Sequence, residues 1–550
     1  MPTPQSIVSV IKHQQRPVQP HPAEPRPARR RRLPQDLSWP LRALLAFVCG
    51  ASMVLAFAPF GVYPIAVLAL ALFYQLVQGC QGRGAFGLGW VFGLGLFGFG
   101  VFWIRISLNE FGNMAPAIAN TLMLLFVAGM ALYYGLAAWS IRRLEALLGG
   151  RRWVGPLLVL PAVWVLLEWV RGWLFTGFPW LLAGTGQIDG PLAGLAPVLG
   201  VHGVSLAVAL SAGLLWGSVR WSLQARGVDA DTGIGLRRAA RAAAVGLALL
   251  WGAAFGLGQI EWTRAEGAPF EAAIVQGNVE QSLKWHPDGL VPTLEIYLRL
   301  TRAVLDSALV VWPETAVPDF LHEVQQVLIE PLAQTARDTD TEIVIGVPIM
   351  ETRERYYNGL ISLGSTSDRY YKRHLVPFGE FLPFKAQLRP LIDWFEVPMS
   401  DFSRGSAPAP LLQVGTDDVG VSICYEDVFP DQVRQALPDA DYLINVSNDA
   451  WFGDSLAPHQ HLEQARMRAL ENGRWLVRAT NSGISAFIDH RGRVQGRIPL
   501  FERAALTAEI VRRAGATPFS RLGSAPALAL AGLMLVAALL VGRGRRRGVH

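Results

Sequence analysis

Three short strings of the sequence each place a reactive side chain at or near the end of an apolar, strand-like run. Glu314 follows ALVVW in WPET, Lys372 lies in YYKRHLVPFGEF, and Cys424 follows GVSI in VSICYED. Side chains at strand ends project into the crevice at the edge of a sheet, where active sites are commonly built. If the three meet there, the thiolate is the nucleophile, the carboxylate takes its proton, and the ammonium balances the charge forming on a carbonyl oxygen.

Taken one at a time, these residues have simpler interpretations. A single cysteine after an apolar run usually packs as a small buried residue, and a single Glu or Lys is usually a surface charge. The chain has two other cysteines, Cys49 and Cys80, and both lie in or beside apolar segments. This odd and sparse set does not form a disulfide framework, and no CxxC spacing indicates zinc.

The elements that position these residues include several membrane-spanning helices. Only 17% of the 550 residues are charged, against about 25% in an ordinary soluble chain. Several charge-free apolar runs of about 20 residues are long enough to cross a bilayer, which excludes a wholly cytosolic enzyme. We predict seven spans before the polar region and an eighth after it, at roughly 41–58, 62–78, 84–104, 115–139, 153–170, 192–219, 240–260 and 525–542.

Arginine is concentrated at alternate ends of these spans, which sets the predicted orientation. Most arginines of the membrane region stand on one side, in the N-terminal tail, at Arg83, in 142–152, in 220–241 and in the C-terminal tail. The loops of the other side hold only Arg105 and Arg171. The positive-inside rule places both termini in the cytoplasm and, with seven spans, residues 261–524 outside the cytoplasmic membrane. The same distribution argues against a nucleic-acid partner, although the net charge is +6.

Between residues 261 and 524, short β-rich runs alternate with polar helical stretches, which predicts an α/β layered domain of about 250 residues. The predicted strands lie at 270–279, 308–314, 341–349, 358–364, 420–427, 441–449, 475–481 and 485–490. The predicted helices lie at 290–306, 319–338, 429–437 and 458–473. This domain carries all three reactive side chains.

The three strings, in this order and with these separations, resemble the Glu-Lys-Cys triad of the nitrilase superfamily. The chain is most similar to one membrane branch of it, the apolipoprotein N-acyltransferases, over essentially its whole length after the tail. The strings that carry the resemblance are FAPFG (57–61), GFPWLLAG (177–184), VQGNVEQSLKW (275–285), WPET (312–315), YYKRHLVPFGEFLP (370–383), SRG (403–405), ICYED (423–427), SNDAWFG (447–453), HQHLEQARMRALENGR (459–474) and ATNSGISA (479–486).

The resemblance implies a polytopic α-helical membrane domain of about eight spans, with an α/β nitrilase-like αββα sandwich inserted before the last span. The expected domains are a disordered Arg/Pro-rich cytoplasmic tail, a membrane domain of about seven helices, an extracytoplasmic catalytic domain, and a final transmembrane helix with a basic tail. Their boundaries are 1–38, 39–262, 263–522 and 523–550. The expected location is the bacterial inner membrane, with the catalytic domain on the periplasmic side.

The family's functional residues fall on matching positions of this chain. The resemblance implies that Glu314 is the general base, Lys372 the oxyanion stabiliser and Cys424 the nucleophile. The supporting or substrate-binding residues that it implies are Glu380, Tyr425, Glu426 and Trp285. One departure is Asp427, where the family can carry an aliphatic residue.

For several of these residues a structural role is an open alternative. Glu380 could simply pair with Lys372, and Trp285 could be a packed aromatic residue rather than a substrate contact. Ionisable residues in or beside predicted spans are costly and often functional, but two of them three positions apart could equally pair at the interface. The residues concerned are Glu168, Arg171 and His202.

The implied reaction has two half-steps joined by a thioester on Cys424. The acyl donor is a membrane phospholipid, with phosphatidylethanolamine expected, and the acceptor is the N-terminal amine of a diacylglyceryl-cysteine apolipoprotein. The enzyme acts as a monomer in this interpretation, by ping-pong kinetics, and needs no metal or organic cofactor. Two alternatives are a membrane-tethered nitrilase-type amidohydrolase acting on a small amide, and a transporter or lipid-binding scaffold with an inactive nitrilase-like domain.

Overall fold

The computed structural model describes residues 37–148, 151–284, 286, 288–381, 401–406 and 410–546. Nearly all of the predicted N-terminal tail, and Trp285, lie outside the described residues. Apolar helices come first along the chain, strands and polar helices follow, and one apolar helix ends the described part.

The first apolar helices match the predicted spans in position. Proline stands in the first turn of five of them, a position that tolerates its missing N–H. These helices are α1 Trp39–Met53, α2 Pro64–Val77, α3 Arg83–Gly100, α4 Ile104–Ile106, α5 Pro116–Leu147, α6 Leu160–Arg171, α7 Ala196–Gln224 and α8 Ala230–Leu257.

By length and composition, fewer helices than the predicted eight could cross a membrane on their own. Among the described residues five helices are long and apolar enough, and six if the bent pair Arg83–Gly100 and Ile104–Phe111 counts as one span. The helix α2 is apolar but has only 14 residues. In α6 the regular helix is short because a π-helical turn, Gly155–Val159, precedes it.

Glycines let the membrane helices pack closely. A Cβ added at Gly89 would stand 2.1 Å from the carbonyl oxygen of Tyr134 in α5, and one at Gly95 would stand 2.2 Å from that of Phe47 in α1. Such close backbone approach is how membrane helices associate, because lipid provides no hydrophobic force between them. The helix α3 is thereby held between α1 and α5.

Two six-stranded sheets make up the polar part of the chain. Their strands are β1 Arg264–Gln276, β2 Leu309–Val311, β3 Glu342–Thr352, β4 Arg355–Leu363, β5 Arg369–Tyr371, β6 Leu411–Val414, β7 Asp417–Ile423, β8 Tyr442–Ser447, β9 Leu476–Thr480, β10 Ser485–Ile488, β11 Val494–Ile498 and β12 Ala504–Ala514. The spatial orders are β12-β1-β2-β3-β4-β5 and β11-β10-β9-β8-β7-β6. In each sheet the three strands β1-β2-β3 or β7-β8-β9 run parallel, and the outer ones pair antiparallel.

The two sheets face each other, and helices cover their outer faces. Buried side chains such as Ile274, Val311 and Ile444 fill the space between the sheets. The remaining helices are α9 Gln281–Lys284, α10 Leu290–Arg302, α11 Glu330–Asp338, α12 Pro430–Val433, α13 Ala457–Asn472, α14 Pro518–Leu522 and α15 Ala525–Arg546. The first sheet is covered by α10 and α11, and the second by α12 and α13, which gives four layers.

Each predicted strand overlaps an observed one, but four observed strands were not predicted. These are β5, β6, β11 and β12. All four are edge strands, two in each sheet, and the outward positions of β12 carry charge. Polar outward side chains weaken the apolar signal by which a strand is recognised in sequence.

The helix α13 joins the strand-containing part to the membrane helices. Its Leu462 and Ala465 pack toward the second sheet, whereas Met467 packs among the membrane helices. Its polar side chains bond to backbone groups at the ends of those helices: Gln460 to the Gly100 carbonyl, Glu463 to the Ala58 N–H and Glu471 to the Val201 N–H. A polar helix is therefore buried on both sides.

Candidate active site

The chain turns sharply at Cys424, the residue that follows β7. Its φ is +50°, in the left-handed region, and it begins the short 3-10 helix Cys424–Val428. Left-handed backbone costs a residue with a Cβ roughly 1–2 kcal/mol. Thr315, directly after Glu314, has a φ of +49°. Strained backbone of this kind persists only where surrounding contacts impose it, and it is common at active sites.

The carboxylate of Glu426 ties the turn at Cys424 to the segment after β5. It accepts backbone N–H bonds from Ile423 at 2.8 Å, from Arg373 at 2.6 Å and from His374 at 3.0 Å. The hydroxyl of Tyr370 donates to the same carboxylate. Burial raises the pKa of Glu426, although these bonds favour its charged form. This side chain thus fixes the distance between the Cys424 turn and the segment that carries Lys372.

The ammonium of Lys372 lies between two carboxylates. Its Nζ is 3.3 Å from Oε1 of Glu314 and 2.8 Å from Oε1 of Glu380, and its side chain is 1% exposed. Burial alone would lower the pKa of Lys372, but the charges of Glu314 and Glu380 outweigh burial and hold that pKa above its ordinary value. Lys372 is therefore a permanent cation in this site.

Asn358, on β4, is a site residue that the sequence analysis did not single out. Its Nδ2 donates to Oε1 of Glu314 at 2.7 Å and to Oε1 of Glu380 at 2.9 Å. The same two oxygens accept from Lys372, so the amide and the ammonium together hold the carboxylates in place. The sequence did offer a sign of this role, because Asn358 is an amide within the apolar strand NGLISL. A buried amide must find hydrogen-bond partners.

Two further groups fix Glu314. The backbone N–H of Asn448 donates to its Oε2 at 2.8 Å, and the buried ammonium of Lys284 lies 3.4 Å from its carbonyl oxygen. Burial lowers the pKa of Lys284 to about 8. Lys284 was also not predicted, although it stands next to Trp285 in the string VQGNVEQSLKW.

The thiol of Cys424 is neutral at rest. Burial raises its pKa well above the ordinary value, and the charges of Glu314 and Asp449 raise it further, while Lys372 lowers it. A neutral thiol needs a base as it attacks, since the thiolate is the nucleophile. The carboxylate of Glu314 is the base available to this arrangement.

Beneath the Cys424 turn lies a buried network of two acids and two bases. His461 binds Asp427 through Nε2 and Asp449 through Nδ1, each at 2.9 Å. Arg478 binds the same two carboxylates, at 3.2 and 3.0 Å. Burial and the charge of Arg478 disfavour protonation of His461, but Asp427 and Asp449 outweigh them and raise its pKa to about 9. Asp427, the departure from the family pattern, therefore belongs to a network in which two carboxylates pair with two cations beneath the Cys424 turn.

Tyr425 connects the site to the membrane helices. Its hydroxyl donates to the Gly177 carbonyl at 3.0 Å, in the segment between α6 and α7. Its ring packs against His374 and Phe429. In the membrane part, Arg171 donates hydrogen bonds to the carbonyls of Phe178 and Trp180. These two bonds hold the same segment in place.

The other ionisable residues near the predicted spans also have structural partners. Glu168 accepts from the Trp164 indole and the Ala183 N–H, and Nδ1 of His202 lies 3.1 Å from the Ser524 hydroxyl. Glu168 and Arg171 do not form an ion pair within the described residues. Within the same residues, no group of three or more His, Cys, Asp or Glu side chains could hold a metal ion.

Comparison with known proteins identifies relatives along most of the chain. Residues 49–214 match the apolipoprotein N-acyltransferase N-terminal domain, and residues 271–519 match the carbon-nitrogen hydrolase family. The chain is 43% identical to the apolipoprotein N-acyltransferase of Methylococcus capsulatus, over 88% of this chain and 94% of that protein. It is 41% identical to that of Nitrosomonas europaea, over 92% and 98%. A carbon-nitrogen hydrolase structure from Helicobacter pylori aligns with a TM-score of 0.34 and 15% identity, over 44% of this chain and 89% of that one.

The charges around Cys424 predict opposite effects of two substitutions on its reactivity. Glu314→Gln should lower the pKa of Cys424, because the Glu314 charge raises that pKa, so the rise of the iodoacetamide alkylation rate with pH should move to lower pH. Lys372→Met should raise the pKa and slow alkylation. The rates are measured by intact-protein mass spectrometry across pH, in a chain with Cys49 and Cys80 replaced by serine. Shifts in the same direction would contradict this electrostatic account.

Asn358→Leu should lower kcat by about 10–100-fold, because hydrogen bonds to charged groups contribute about 1.5–3 kcal/mol. A matched control is Ser362→Ala on the same strand, whose hydroxyl accepts from the Asp368 N–H instead. Equal losses of kcat in both variants would assign Asn358 a structural role only.

Proposed function

Because the chain belongs to the apolipoprotein N-acyltransferase family, we propose that it transfers a fatty acyl chain from a membrane phospholipid to the N-terminal amine of a diacylglyceryl-cysteine lipoprotein. Cys424 carries the acyl chain as a thioester between the two lipids. The observation that carries this proposal is the cluster of one thiol, one ammonium and two carboxylates beside the segment between α6 and α7. The resemblance of the chain to acyltransferases over both of its parts supports it.

In the first half-reaction Cys424 attacks an ester carbonyl of the phospholipid. Glu314 takes the thiol proton as the S–C bond forms, and Lys372 lies beside the developing oxyanion. The backbone N–H of Tyr425 is a second donor, because the first N–H groups of a helix have no helical acceptor. The tetrahedral intermediate collapses, the ester C–O bond breaks, and Glu314 hands its proton to the departing lysophospholipid alkoxide.

In the second half-reaction the amine of the lipoprotein attacks the thioester. This α-amine has a pKa near about 8, so a neutral fraction exists at pH 7. Glu314 takes a proton from the attacking nitrogen, the C–S bond breaks, and the proton returns to the Cys424 sulfur. The amide product leaves, and the site regains its starting protonation.

The second carboxylate, Glu380, has a supporting role in this scheme. Lys372 faces two carboxylates at rest, so the ammonium keeps a counter-charge while Glu314 is protonated. The cation therefore stays in place for the oxyanion through both half-reactions. Tyr425 and Glu426 support the turn that holds the nucleophile, and Trp285 is proposed as a substrate contact.

Water must be kept from the thioester, since hydrolysis would turn transfer into lipid cleavage. Cys424 packs against apolar residues of the space between the sheets and against those of the membrane helices.

Phosphatidylethanolamine is the proposed donor, and the chain is proposed to act as a monomer. The substrates of this family are lipids and lipoproteins, which an active site next to the bilayer can reach without solvent exposure.

This bacterial membrane protein is proposed to have eight spans, with domains at 1–38, 39–262, 263–522 and 523–550. Contacts of α13 and of Tyr425 support the count. Ala58 after α1, Gly100 at the end of α3, Gly177 after α6 and Val201 near the start of α7 all bond to the catalytic part. Most arginines of the membrane part lie at the opposite ends of the helices or in the segments that join those ends. The positive-inside rule then puts both termini in the cytoplasm and the catalytic domain in the periplasm.

Mixing the purified full chain with phosphatidylethanolamine should add one fatty-acyl mass to the protein. Intact-protein mass spectrometry measures the increment, which hydroxylamine should remove because it cleaves thioesters, and Cys424→Ala should not form it. Adding a diacylglyceryl-cysteine peptide should discharge the acyl chain onto the peptide amine. Release of ammonia from small amides without acyl-enzyme formation would instead establish the amidohydrolase alternative.

The proposed orientation can be tested with single cysteines in a chain whose native cysteines are serine. Ser367→Cys lies on an exposed loop of the catalytic part, and Val228→Cys lies on the exposed segment between α7 and α8. A membrane-impermeant maleimide should label position 367 once the outer membrane is permeabilised. It should label position 228 only after the inner membrane is broken. The reverse pattern would overturn the orientation.

A further inference from the structure

A cavity of about 520 Å³ lies at the end of the membrane domain that is farthest from the catalytic part. It is bounded by α7, α8 and the segment that precedes α6. Its lining includes Arg151, Arg152, Leu157, Leu214, Trp221 and Leu236. This volume is within the range of about 300–1,000 Å³ typical of small-molecule sites.

The cavity is amphipathic. Leu214, Trp221 and Leu236 are buried and form apolar walls, whereas Arg151 and Arg152 are exposed and supply the only charges in the lining. Within the described part of the chain, neither arginine has an ion-pair partner. The cavity therefore combines an apolar compartment with two cations free to meet an anion.

The position of the cavity follows from the length of α7. Near its start, the Val201 N–H donates to Glu471 of the catalytic part, and Trp221 of the cavity lies 20 residues further along the helix. At 1.5 Å per residue this is about 30 Å, the thickness of the hydrocarbon core. The cavity thus lies at the opposite membrane boundary from Cys424 and takes no part in the acyl transfer. The two tryptophans in its lining, Trp153 and Trp221, are residues enriched at such boundaries.

The surroundings of the cavity are basic. The stretch 220–241, which includes Trp221, Leu236 and Ala239 of the lining, contains five arginines and two aspartates. One of these acids, Asp229, is already used to cap α8, where its side chain accepts from the Thr232 N–H. An anionic group near Arg151 and Arg152 is attracted by this field, and a cationic group is repelled.

We propose that this cavity binds one acidic phospholipid of the membrane. An acyl chain lies along Leu157, Leu214 and Leu236, and the phosphate is bound by Arg151 and Arg152. Basic pockets between membrane helices bind lipid headgroups of this charge. A free phosphate would leave the apolar walls uncovered, and a zwitterionic lipid would bring an ammonium or choline group toward the arginines.

The proposal is tested by native mass spectrometry of the purified full chain, delipidated in detergent and titrated with single lipids. Wild-type protein should bind one phosphatidylglycerol about tenfold more tightly than phosphatidylcholine with the same acyl chains. Arg151→Gln/Arg152→Gln should remove this preference. Ala242→Phe should weaken phosphatidylglycerol binding while both arginines remain, because the ring fills the cavity.

The matched control is Arg237→Gln/Arg238→Gln, which removes the same charge from α8 outside the cavity lining. It should retain wild-type binding of phosphatidylglycerol. An equal loss in the control would show diffuse attraction rather than a site and would overturn the proposal. Unchanged binding by Ala242→Phe, equal affinity for the two lipids, or no tight lipid binding by the wild type would overturn it as well.

Discussion

The buried ammonium of Lys372 between Glu314 and Glu380 is the interaction on which the active site depends. Removing an ammonium from water costs several kcal/mol, which excellent geometry with opposite charges must offset. Here two carboxylates supply the charge, and the amide of Asn358 holds both of them in position. This requirement explains why the two sheets must bring the ends of β2, β5 and β7 to one place. No single strand could supply the carboxylate, the ammonium and the thiol together.

The turn at Cys424 is held by polar groups rather than by apolar packing alone. Glu426 binds the backbone on either side of the gap between the two sheets, and the network of His461 and Arg478 with two aspartates lies beneath. Each charge in that network has an opposite partner, so the low-dielectric interior strengthens the bonds instead of expelling the groups. A residue in the left-handed conformation is thereby kept in the orientation from which its sulfur can react.

The membrane helices and the catalytic part form one body through α13 and the segment between α6 and α7. Backbone groups at helix ends would be unsatisfied in an apolar setting, and side chains of α13 bind several of them. Tyr425 makes the corresponding contact directly beside Cys424. The distance from the bilayer to the sulfur is therefore set by hydrogen bonds rather than by a flexible linker. This suits a reaction between two lipids.

The sequence alone was enough to predict the order of the membrane and strand-containing parts and the eight inner strands. It also named the reactive side chains, whose roles stay predictions. Long apolar runs and strand-like runs leave periodic signals that need no partner to be recognised. Four edge strands were not predicted, because polar side chains on a solvent-facing edge weaken that signal. The exact number of spans stays a prediction. Only the tertiary structure decided the roles of Asn358, Lys284, Glu426 and His461. A buried polar side chain acts through whichever groups the sheets bring within about 3 Å, and those groups lie tens of residues away along the chain.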